Sequence, residues 1–180
     1  MNNSDRVLIA GAGPVGLVSA MCLANEGIPV LILEMGDELP IDLRASTFHP
    51  PTLDMLDKFG ITSKLIETGL TAPTRQYRDR ESGERAEFDL TLINDKTSHP
   101  YRVQCEQHKM TRMILSKLKD NSLVEISFST KVIDVTQDSD FVYLNVENNG
   151  EKNKITGRYV IAADGANSAI RQSLNLGFEG

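Results

Sequence analysis

Hydrophobic and polar positions divide the start of the chain into a strand, a turn, a helix and a second strand. No charged residue occurs between Val7 and Ala24, and this run is interrupted by three glycines and a proline. The interruptions predict a buried strand over 6–10 and a helix over Pro14–Asn25 rather than a membrane span. The apolar run "IPVLILE" follows Gly27 and is typical of a parallel strand covered on both faces. These elements predict a right-handed βαβ unit.

Helical spacing and turn residues organise the middle of the chain. "GDELPIDLRASTFHPP" is rich in turn formers and predicts a loop, and "TLDMLDKFG" then places Leu53, Leu56 and Phe59 on one helical face. "SKLIETG" predicts a further short helix. "RQYRDRESGERAEFDL" predicts a hairpin that turns at residues 81–83, within an insertion over about 73–103. "EQHKMTRMILSKLKD" predicts an amphipathic helix whose apolar face holds Met110, Met113, Ile114 and Leu118.

Alternating patterns dominate the last third of the chain. "VEISFST", "KVIDVTQD" and "FVYLNVE" predict an antiparallel meander, with turns at residues 138–140 and 148–150. "RYVIAADGANSAIRQSL" then predicts a buried strand, a turn at Asp164-Gly165 and a helix that Ser168 caps. On this reading the βαβ unit has no later parallel partner strands.

Composition is that of an ordinary globular domain. The chain has 180 residues, of which 40% are hydrophobic and 24% charged, with a net charge of −6. The charges are interspersed, which disfavours nucleic acid as a partner. The two cysteines and three histidines show neither a disulfide framework nor a metal-ligand spacing. A reduced, cytoplasmic location is the simplest interpretation, with Met21 and Cys22 expected in the core.

The loop "GAGPVG" is the chemically informative motif. Gly11, Gly13 and Gly16 follow a strand and open a helix, where they allow a tight turn, close approach of a pyrophosphate and close helix–strand packing. The helix N-terminus then offers N–H groups to phosphates. Glu34, at the end of the next strand, is placed to accept hydrogen bonds from ribose hydroxyls and would repel a 2′-phosphate. The motif therefore predicts FAD or NAD, and not NADP, in this position.

The inserted meander and the Asp-Gly segment favour FAD over NAD. In order along the chain, "GAGPVG" with Glu34, "RASTFHPPTLDMLDKFGI", "VQCEQHKM" and "AADGANSAIR" resemble the FAD-dependent aromatic-ring monooxygenases of the para-hydroxybenzoate hydroxylase type. This resemblance covers nearly the whole chain. It implies an α/β fold, a Rossmann-like FAD-binding domain of the glutathione reductase type with an antiparallel meander, spanning residues 1–180.

The resemblance also implies a set of cofactor contacts and a reaction. Arg44 and Gln104 would lie near the phosphate and ribityl part of FAD, and Arg171 would support the Asp-Gly turn. The cofactor-binding residues expected in full are Gly11, Ala12, Gly13, Pro14, Val15, Gly16, Glu34, Met35, Arg44, Gln104, Val132, Asp164 and Gly165. NADH or NADPH would reduce FAD, and a flavin hydroperoxide formed with O₂ would hydroxylate a phenol-like substrate. No catalytic residue is identified, and His49 is interpreted as a loop histidine.

The chain departs from this family in length. Family members continue through a substrate-binding sheet and a Gly-Asp motif, so we expect residues 1–180 to be the N-terminal part of a larger hydroxylase, inactive alone and able to self-associate through an exposed apolar face. Alternatives are a flavin halogenase or another oxidoreductase on the same fold, a nucleotide-binding module without catalysis, and an NAD-dependent Rossmann dehydrogenase. The tryptophan-containing motif of the halogenases cannot occur here, because the chain has no tryptophan.

Overall fold

A computed structural model describes residues 4–41 and 44–179 of the chain. The helices in these residues are α1 (Pro14–Asn25), α2 (Pro50–Asp57), α3 (Thr62–Thr68), α4 (Gln107–Lys119) and α5 (Ala169–Ser173), with a 3₁₀ helix over Leu90–Ile93. The strands are β1 (Val7–Ala10), β2 (Val30–Leu33), β3 (Thr47–Phe48), β4 (Leu70–Ala72), β5 (Thr74–Arg78), β6 (Arg85–Asp89), β7 (Arg102–Gln104), β8 (Val124–Ser127), β9 (Thr130–Gln137), β10 (Val142–Asn148), β11 (Glu151–Gly157) and β12 (Tyr159–Ala162).

The chain forms two compact units. The first unit contains the residues up to Ile41 and those from Ile114 onward, and the second contains the residues between them. None of the helices in the described part of the chain is long and apolar enough to cross a membrane.

A four-stranded parallel sheet is the centre of the first unit. Its strand order is β12-β1-β2-β8, so that Ala10 lies between Ala162 on one side and Leu33 on the other. The inner strands β1 and β2 are buried at every position, as the uninterrupted apolar runs predict. The predicted βαβ unit is confirmed, but the expectation that it has no later parallel partners is wrong, because β8 and β12 both pair with it.

The antiparallel meander consists of β11, β10 and β9 in that order. It therefore starts one strand later than predicted: "VEISFST" forms β8 of the parallel sheet, and "EKNKITG" supplies the third strand of the meander. The inner residues of the meander and Ile170 of α5 pack with Leu8 and Leu31 in one hydrophobic cluster. At Gly157 a Cβ would lie 2.5 Å from Cγ of Leu8, so only glycine allows this close approach of β11 to β1.

Helix α1 has the predicted bounds, and a glycine with φ of +76°, Gly27, follows it. Leu17, Ala20 and Met21 are buried on its inner face. Cys22, which was expected in the core, is exposed instead. The position after Met21 is turned by about 100° around the helix axis, which carries the Cys22 side chain off the buried face.

The second unit contains a small sheet in the order β3-β7-β4, together with α2 and α3. Leu53 and Leu56 are fully buried, as their spacing predicts, whereas Phe59 lies beyond the end of α2 and is half-buried. The segment predicted as one loop up to Pro51 is partly regular, since β3 occupies two of its residues and α2 begins at Pro50. Prolines suit the first turn of a helix, where their missing N–H groups are not needed.

Strands β5 and β6 form the predicted hairpin, with Gly83 at φ of +75° in its turn. All ten strand residues are exposed on both faces of this two-stranded sheet. Helix α4 is also confirmed, with Met110, Ile114 and Leu118 buried and Met113 half-buried.

Candidate dinucleotide-binding site

The glycine loop between β1 and α1 depends on two close backbone approaches. Gly11 has φ of +98°, and a Cβ there would lie 2.5 Å from the carbonyl oxygen of Ala163. A Cβ on Gly16 would lie 1.9 Å from the carbonyl oxygen of Gly11. The tight turn and the close helix packing predicted for these glycines are therefore confirmed, and neither position accepts a side chain.

Gly13 differs from the other two glycines because the space in front of it is open. A Cβ at this position would meet no described atom within 4 Å. Gly13 is the N-cap of α1, Pro14 follows as the first helical residue, and no side chain caps this N-terminus. The first turn, which includes Val15, carries no acidic residue. The N-terminus of α1 therefore presents its N–H groups and partial positive charge to an open space that suits a phosphate.

Glu34 follows β2 and bridges two backbone segments. Its Oε2 atom accepts a hydrogen bond of 2.7 Å from the N–H of Ala12, and its Oε1 atom accepts one of 2.9 Å from the N–H of Gly36. Each carboxylate oxygen can accept a second hydrogen bond, so ribose hydroxyls can still bind. The structure thus adds a role that the motif alone did not indicate: Glu34 holds the glycine loop against the end of β2. Met35, beside it, is 71% exposed.

Asp164 and Gly165 follow β12 and lie next to the glycine loop. A Cβ on Gly11 would lie 3.4 Å from Cα of Asp164. Oδ2 of Asp164 accepts a hydrogen bond of 3.2 Å from the N–H of Ile170, whereas Oδ1 is buried and has no hydrogen-bond partner within the described residues. Because a buried acceptor without a partner is costly, this oxygen marks a position that a donor from a ligand or a water would satisfy.

Gly165, Ser168 and Arg171 stabilise the turn after Asp164, as the sequence predicted. Gly165 has φ of +82°. Oγ of Ser168 accepts a hydrogen bond of 3.0 Å from the N–H of Arg171, which makes Ser168 the N-cap of α5. The guanidinium of Arg171 donates a hydrogen bond of 2.9 Å to the carbonyl of Ala166.

The second unit brings the Arg44 segment beside Gln104. Oγ1 of Thr47 donates a hydrogen bond of 2.9 Å to Oε1 of Gln104, and the two residues face each other across β3 and β7. Backbone bonds from Cys105 to Ser46 and from Gln107 to Ala45 continue this pairing toward Arg44, which is exposed. Thr47 thereby fixes the orientation of the Gln104 amide, so that its N–H₂ end is the group left to bind a ligand.

Val132 and His49 lie outside the glycine loop, Val132 in the hydrophobic core and His49 at the surface. The Val132 side chain is buried in the core at 8% exposure and lies opposite Val146 on the neighbouring strand. A contact from Val132 to a cofactor would therefore have to come from its backbone. His49 is exposed and immediately precedes α2.

A cluster of polar side chains in the second unit was not found by sequence reasoning. Nδ1 of the buried His99 lies 2.8 Å from Oδ1 of Asp54, and the Thr97 hydroxyl donates a hydrogen bond of 2.7 Å to Oδ2 of Asp54. The bond from Thr97, followed by the bond to His99, holds the pKa of Asp54 below its ordinary value. No local motif links residues so far apart along the chain. In the part of the chain that the structure describes, no group of side chains is suited to hold a metal ion.

The residues of the first unit fit a dinucleotide that carries a pyrophosphate. They provide the open space at Gly13, a helix with no acidic residue in its first turn, the Glu34 carboxylate and the orphaned oxygen of Asp164. These are the donors, acceptors and space that phosphates and ribose hydroxyls require.

Comparisons with known proteins agree with this fit. Para-nitrophenol 4-monooxygenase from Pseudomonas sp. (strain WBC-3) is 31% identical over 180 residues, which cover 100% of this chain and 45% of that protein. 6-hydroxy-3-succinoylpyridine 3-monooxygenase HspB from Pseudomonas putida (strain DSM 28022 / S16) is 33% identical over 183 residues, which cover 100% of this chain and 46% of that protein. This chain therefore spans less than half the length of these relatives.

A solved structure shows the same fold. The crystal structure of p-nitrophenol 4-monooxygenase PnpA from Pseudomonas putida DLL-E4 matches with a TM-score of 0.92 and 31% identity, over 98% of this chain and 45% of that one. The family model described as "FAD binding domain" matches residues 5–180. The resemblance seen in the sequence motifs is thus confirmed, and the chain belongs to this family of FAD-binding domains.

Proposed function

We propose that this FAD-binding domain serves an NAD(P)H-dependent monooxygenase that hydroxylates a phenol-like aromatic substrate. The observation that carries the proposal is the open position at Gly13, in front of the uncapped N-terminus of α1 and beside the Glu34 carboxylate. The relatives add the reaction class, because the matched proteins are named as monooxygenases of nitrophenol and of a hydroxylated pyridine.

In this proposal the residues of the chain bind and orient the cofactor. The N–H groups at the start of α1 bind the pyrophosphate, and Glu34 accepts hydrogen bonds from the adenosine ribose. Arg44, Gln104, Asp164, Gly165 and the backbone of Val132 are proposed as further contacts. FAD, when bound, supplies the transfer of electrons from the reduced nicotinamide and the activation of O₂. Overall, one oxygen atom enters the substrate and one leaves as water for each NAD(P)H oxidised.

We also propose a cellular location and partners for this protein. We propose the cytoplasm as its location, which the two free cysteines support. The proposed partners are a small aromatic substrate, O₂ and either NADH or NADPH, and we propose no nucleic acid partner for a chain of net charge −6.

The experiment that tests this function uses the natural protein purified with its bound cofactor. Its visible spectrum should show flavin bands, and a panel of phenols should include a compound that speeds NADH or NADPH oxidation. Hydroxylated product should then form in a ratio approaching one per nicotinamide oxidised. If the protein binds FAD but no phenol raises the oxidation rate or yields product, the monooxygenase assignment is wrong. A colourless protein that does not bind added FAD contradicts the cofactor assignment as well.

A further inference from the structure

The turn between β8 and β9 holds the backbone of the segment that carries Glu34. The N–H of Glu34 donates a hydrogen bond of 2.9 Å to the carbonyl of Ser127, and the N–H of Thr130 donates one of 2.8 Å back to the carbonyl of Glu34. The N–H of Ser129 donates another of 2.8 Å to the carbonyl of Gly36. Because the N–H of Gly36 in turn binds Oε1 of Glu34, this turn holds one of the two backbone donors of the carboxylate in place.

The Thr130 hydroxyl lies at the centre of this turn, and Thr130 is only 3% exposed. Its Oγ1 atom donates a hydrogen bond of 3.0 Å to the carbonyl oxygen of Phe128. The same atom lies 2.8 Å from Oγ of Ser127 and accepts a hydrogen bond of 2.7 Å from Nδ2 of Asn148. A hydroxyl donates once and accepts twice, so these three neighbours use its full capacity when Ser127 is the second donor. Removing the hydroxyl would leave all three groups without this partner.

The turn requires such support because it contains a strained backbone position. Ser129 has φ of +51°, which residues with a side chain rarely adopt. A conformation of this kind persists only where the surrounding contacts hold it. The Thr130 hydroxyl binds the carbonyl of Phe128, directly before Ser129, and so closes the turn around the strained residue. Without the hydroxyl, we expect Ser129 to relax and its hydrogen bond to Gly36 to weaken.

We propose that Thr130 is a positioning residue for Glu34. Its hydroxyl keeps the turn closed, and the turn holds the Glu34 carboxylate where it accepts hydrogen bonds from the adenosine ribose of FAD. The hydroxyl acts through the backbone of Ser129 and Gly36 and not on the cofactor itself. This inference rests on the proposed function, because it requires the contact between Glu34 and the ribose.

Two substitutions at Thr130 separate positioning from stability. Thr130→Val keeps the buried volume and removes the hydroxyl, whereas Thr130→Ser keeps the hydroxyl and removes a buried methyl group. In the natural protein stripped of its cofactor, flavin fluorescence titration should give a Kd for FAD that is about threefold to tenfold higher for Thr130→Val, the range for losing a hydrogen bond. Thr130→Ser should bind FAD as the wild type does. Urea denaturation should show reduced stability for both variants.

Thr62→Val is the matched control for the loss of a buried hydroxyl. Thr62 is fully buried in the second unit, and its hydroxyl donates a hydrogen bond of 2.6 Å to the carbonyl of Leu53. Thr62→Val should reduce stability and leave FAD affinity unchanged. If Thr130→Val does not fold, Ser127→Ala decides, because it removes only one of the three hydrogen bonds of Thr130. It should raise the Kd for FAD about twofold to fivefold, and an unchanged Kd would count against the proposal.

A double-mutant cycle with Glu34→Ala tests whether the effect passes through the carboxylate. In the Glu34→Ala background, Thr130→Val should lower FAD affinity no further but should still reduce stability. An equal loss of affinity with and without Glu34 overturns the proposal. So does wild-type affinity in Thr130→Val, or a loss in Thr130→Ser that matches the loss in Thr130→Val. These outcomes leave the proposed function intact, because Glu34→Ala alone would still weaken FAD binding. If Glu34→Ala leaves FAD affinity unchanged, the ribose contact is wrong and this inference is overturned with it.

Discussion

The Oε2 atom of Glu34 lies 2.7 Å from the backbone nitrogen of Ala12, so the carboxylate that is expected to bind ribose also holds the glycine loop. We therefore expect Glu34→Ala to have two effects. FAD binding should weaken by about 1–3 kcal/mol, the scale for losing hydrogen bonds to a charged group. The free energy of unfolding without FAD should fall too, because the N–H groups of Ala12 and Gly36 lose their acceptor. Isothermal titration calorimetry and urea denaturation measure the two quantities separately.

Glu34→Gln is the matched variant for this prediction. Its single remaining carbonyl can accept from one of the two backbone N–H groups, so both quantities should lie between those of the wild type and of Glu34→Ala. If Glu34→Ala changes neither FAD affinity nor stability, Glu34 is an ordinary acid at a strand end.

Gly13→Val should abolish FAD binding while leaving the fold intact. A Cβ at Gly13 would meet no described atom within 4 Å, and the valine side chain would extend into the space assigned to the pyrophosphate. Gly177→Val is the control, because a Cβ at Gly177 also meets nothing within 4 Å. Flavin fluorescence titration should show lost binding for Gly13→Val only, with both variants melting near the wild-type temperature. Retained FAD affinity in Gly13→Val would exclude the proposed phosphate position.

Asp54 should make the second unit sensitive to acid. Its pKa is lowered in the folded chain by the hydrogen bond from Thr97 and by His99, so it stabilises the fold above the ordinary value of 3.8. This contribution is lost as the pH falls below 3.8 through the lowered pKa. Asp54→Asn should therefore lower the free energy of unfolding near neutral pH. On acidification, the free energy of unfolding of this variant should fall less than that of the wild type.

The control for Asp54 is Asp95→Asn, which removes a carboxylate that pairs with Lys96 on the surface. It should leave the pH dependence of unfolding close to that of the wild type. Parallel stability curves for the wild type and Asp54→Asn between about pH 6 and pH 3 would show that the Thr97 and His99 contacts contribute nothing to acid stability.

The two thiols should differ sharply in reactivity. Cys22 is exposed, whereas Cys105 is buried and its pKa is raised by that burial. Because the thiolate is the reactive form, Ellman's reagent should label one thiol quickly in the native chain and the second only after denaturation. Cys22→Ser should remove the fast reaction. A fast reaction that persists in Cys22→Ser would mean that Cys105 is accessible.

Sequence patterns predicted the elements best where burial is complete. Helix α1 has the predicted bounds, and β1 and β2 show the continuous burial that their apolar runs indicate. Strand β8 was misassigned because it is an edge strand of the parallel sheet. Its outward Glu125 pairs with Arg6 at 2.6 Å, which produces the alternation typical of an antiparallel strand. β12 lies at the opposite edge of this sheet, and its Tyr159 is 66% exposed, although the strand was expected to be buried.

In the site as well, the sequence predicted contacts within one short segment but not contacts between segments that are far apart along the chain. The glycine spacing predicted the turn at Gly11 and the packing at Gly16, because both follow from the backbone of one short segment. The contact from Glu34 to Ala12 and the pair of Asp54 and His99 depend on how separate elements meet. Local spacing carries no signal for such contacts, so they could be found only in the folded chain.

The strand order of the parallel sheet sets the order in which the chain can fold during synthesis. β1 and β2 are made early, but their outer neighbours β12 and β8 are encoded far downstream. At ordinary rates of synthesis, the time between the emergence of Ala10 and that of its partner Ala162 is on the order of ten seconds. For that interval both outer edges of the nascent β1–β2 pair are open to other chains. A ribosome-associated chaperone, or a slow start to translation that spaces neighbouring ribosomes, would therefore raise the yield of native protein more than a further stabilising mutation in the finished core.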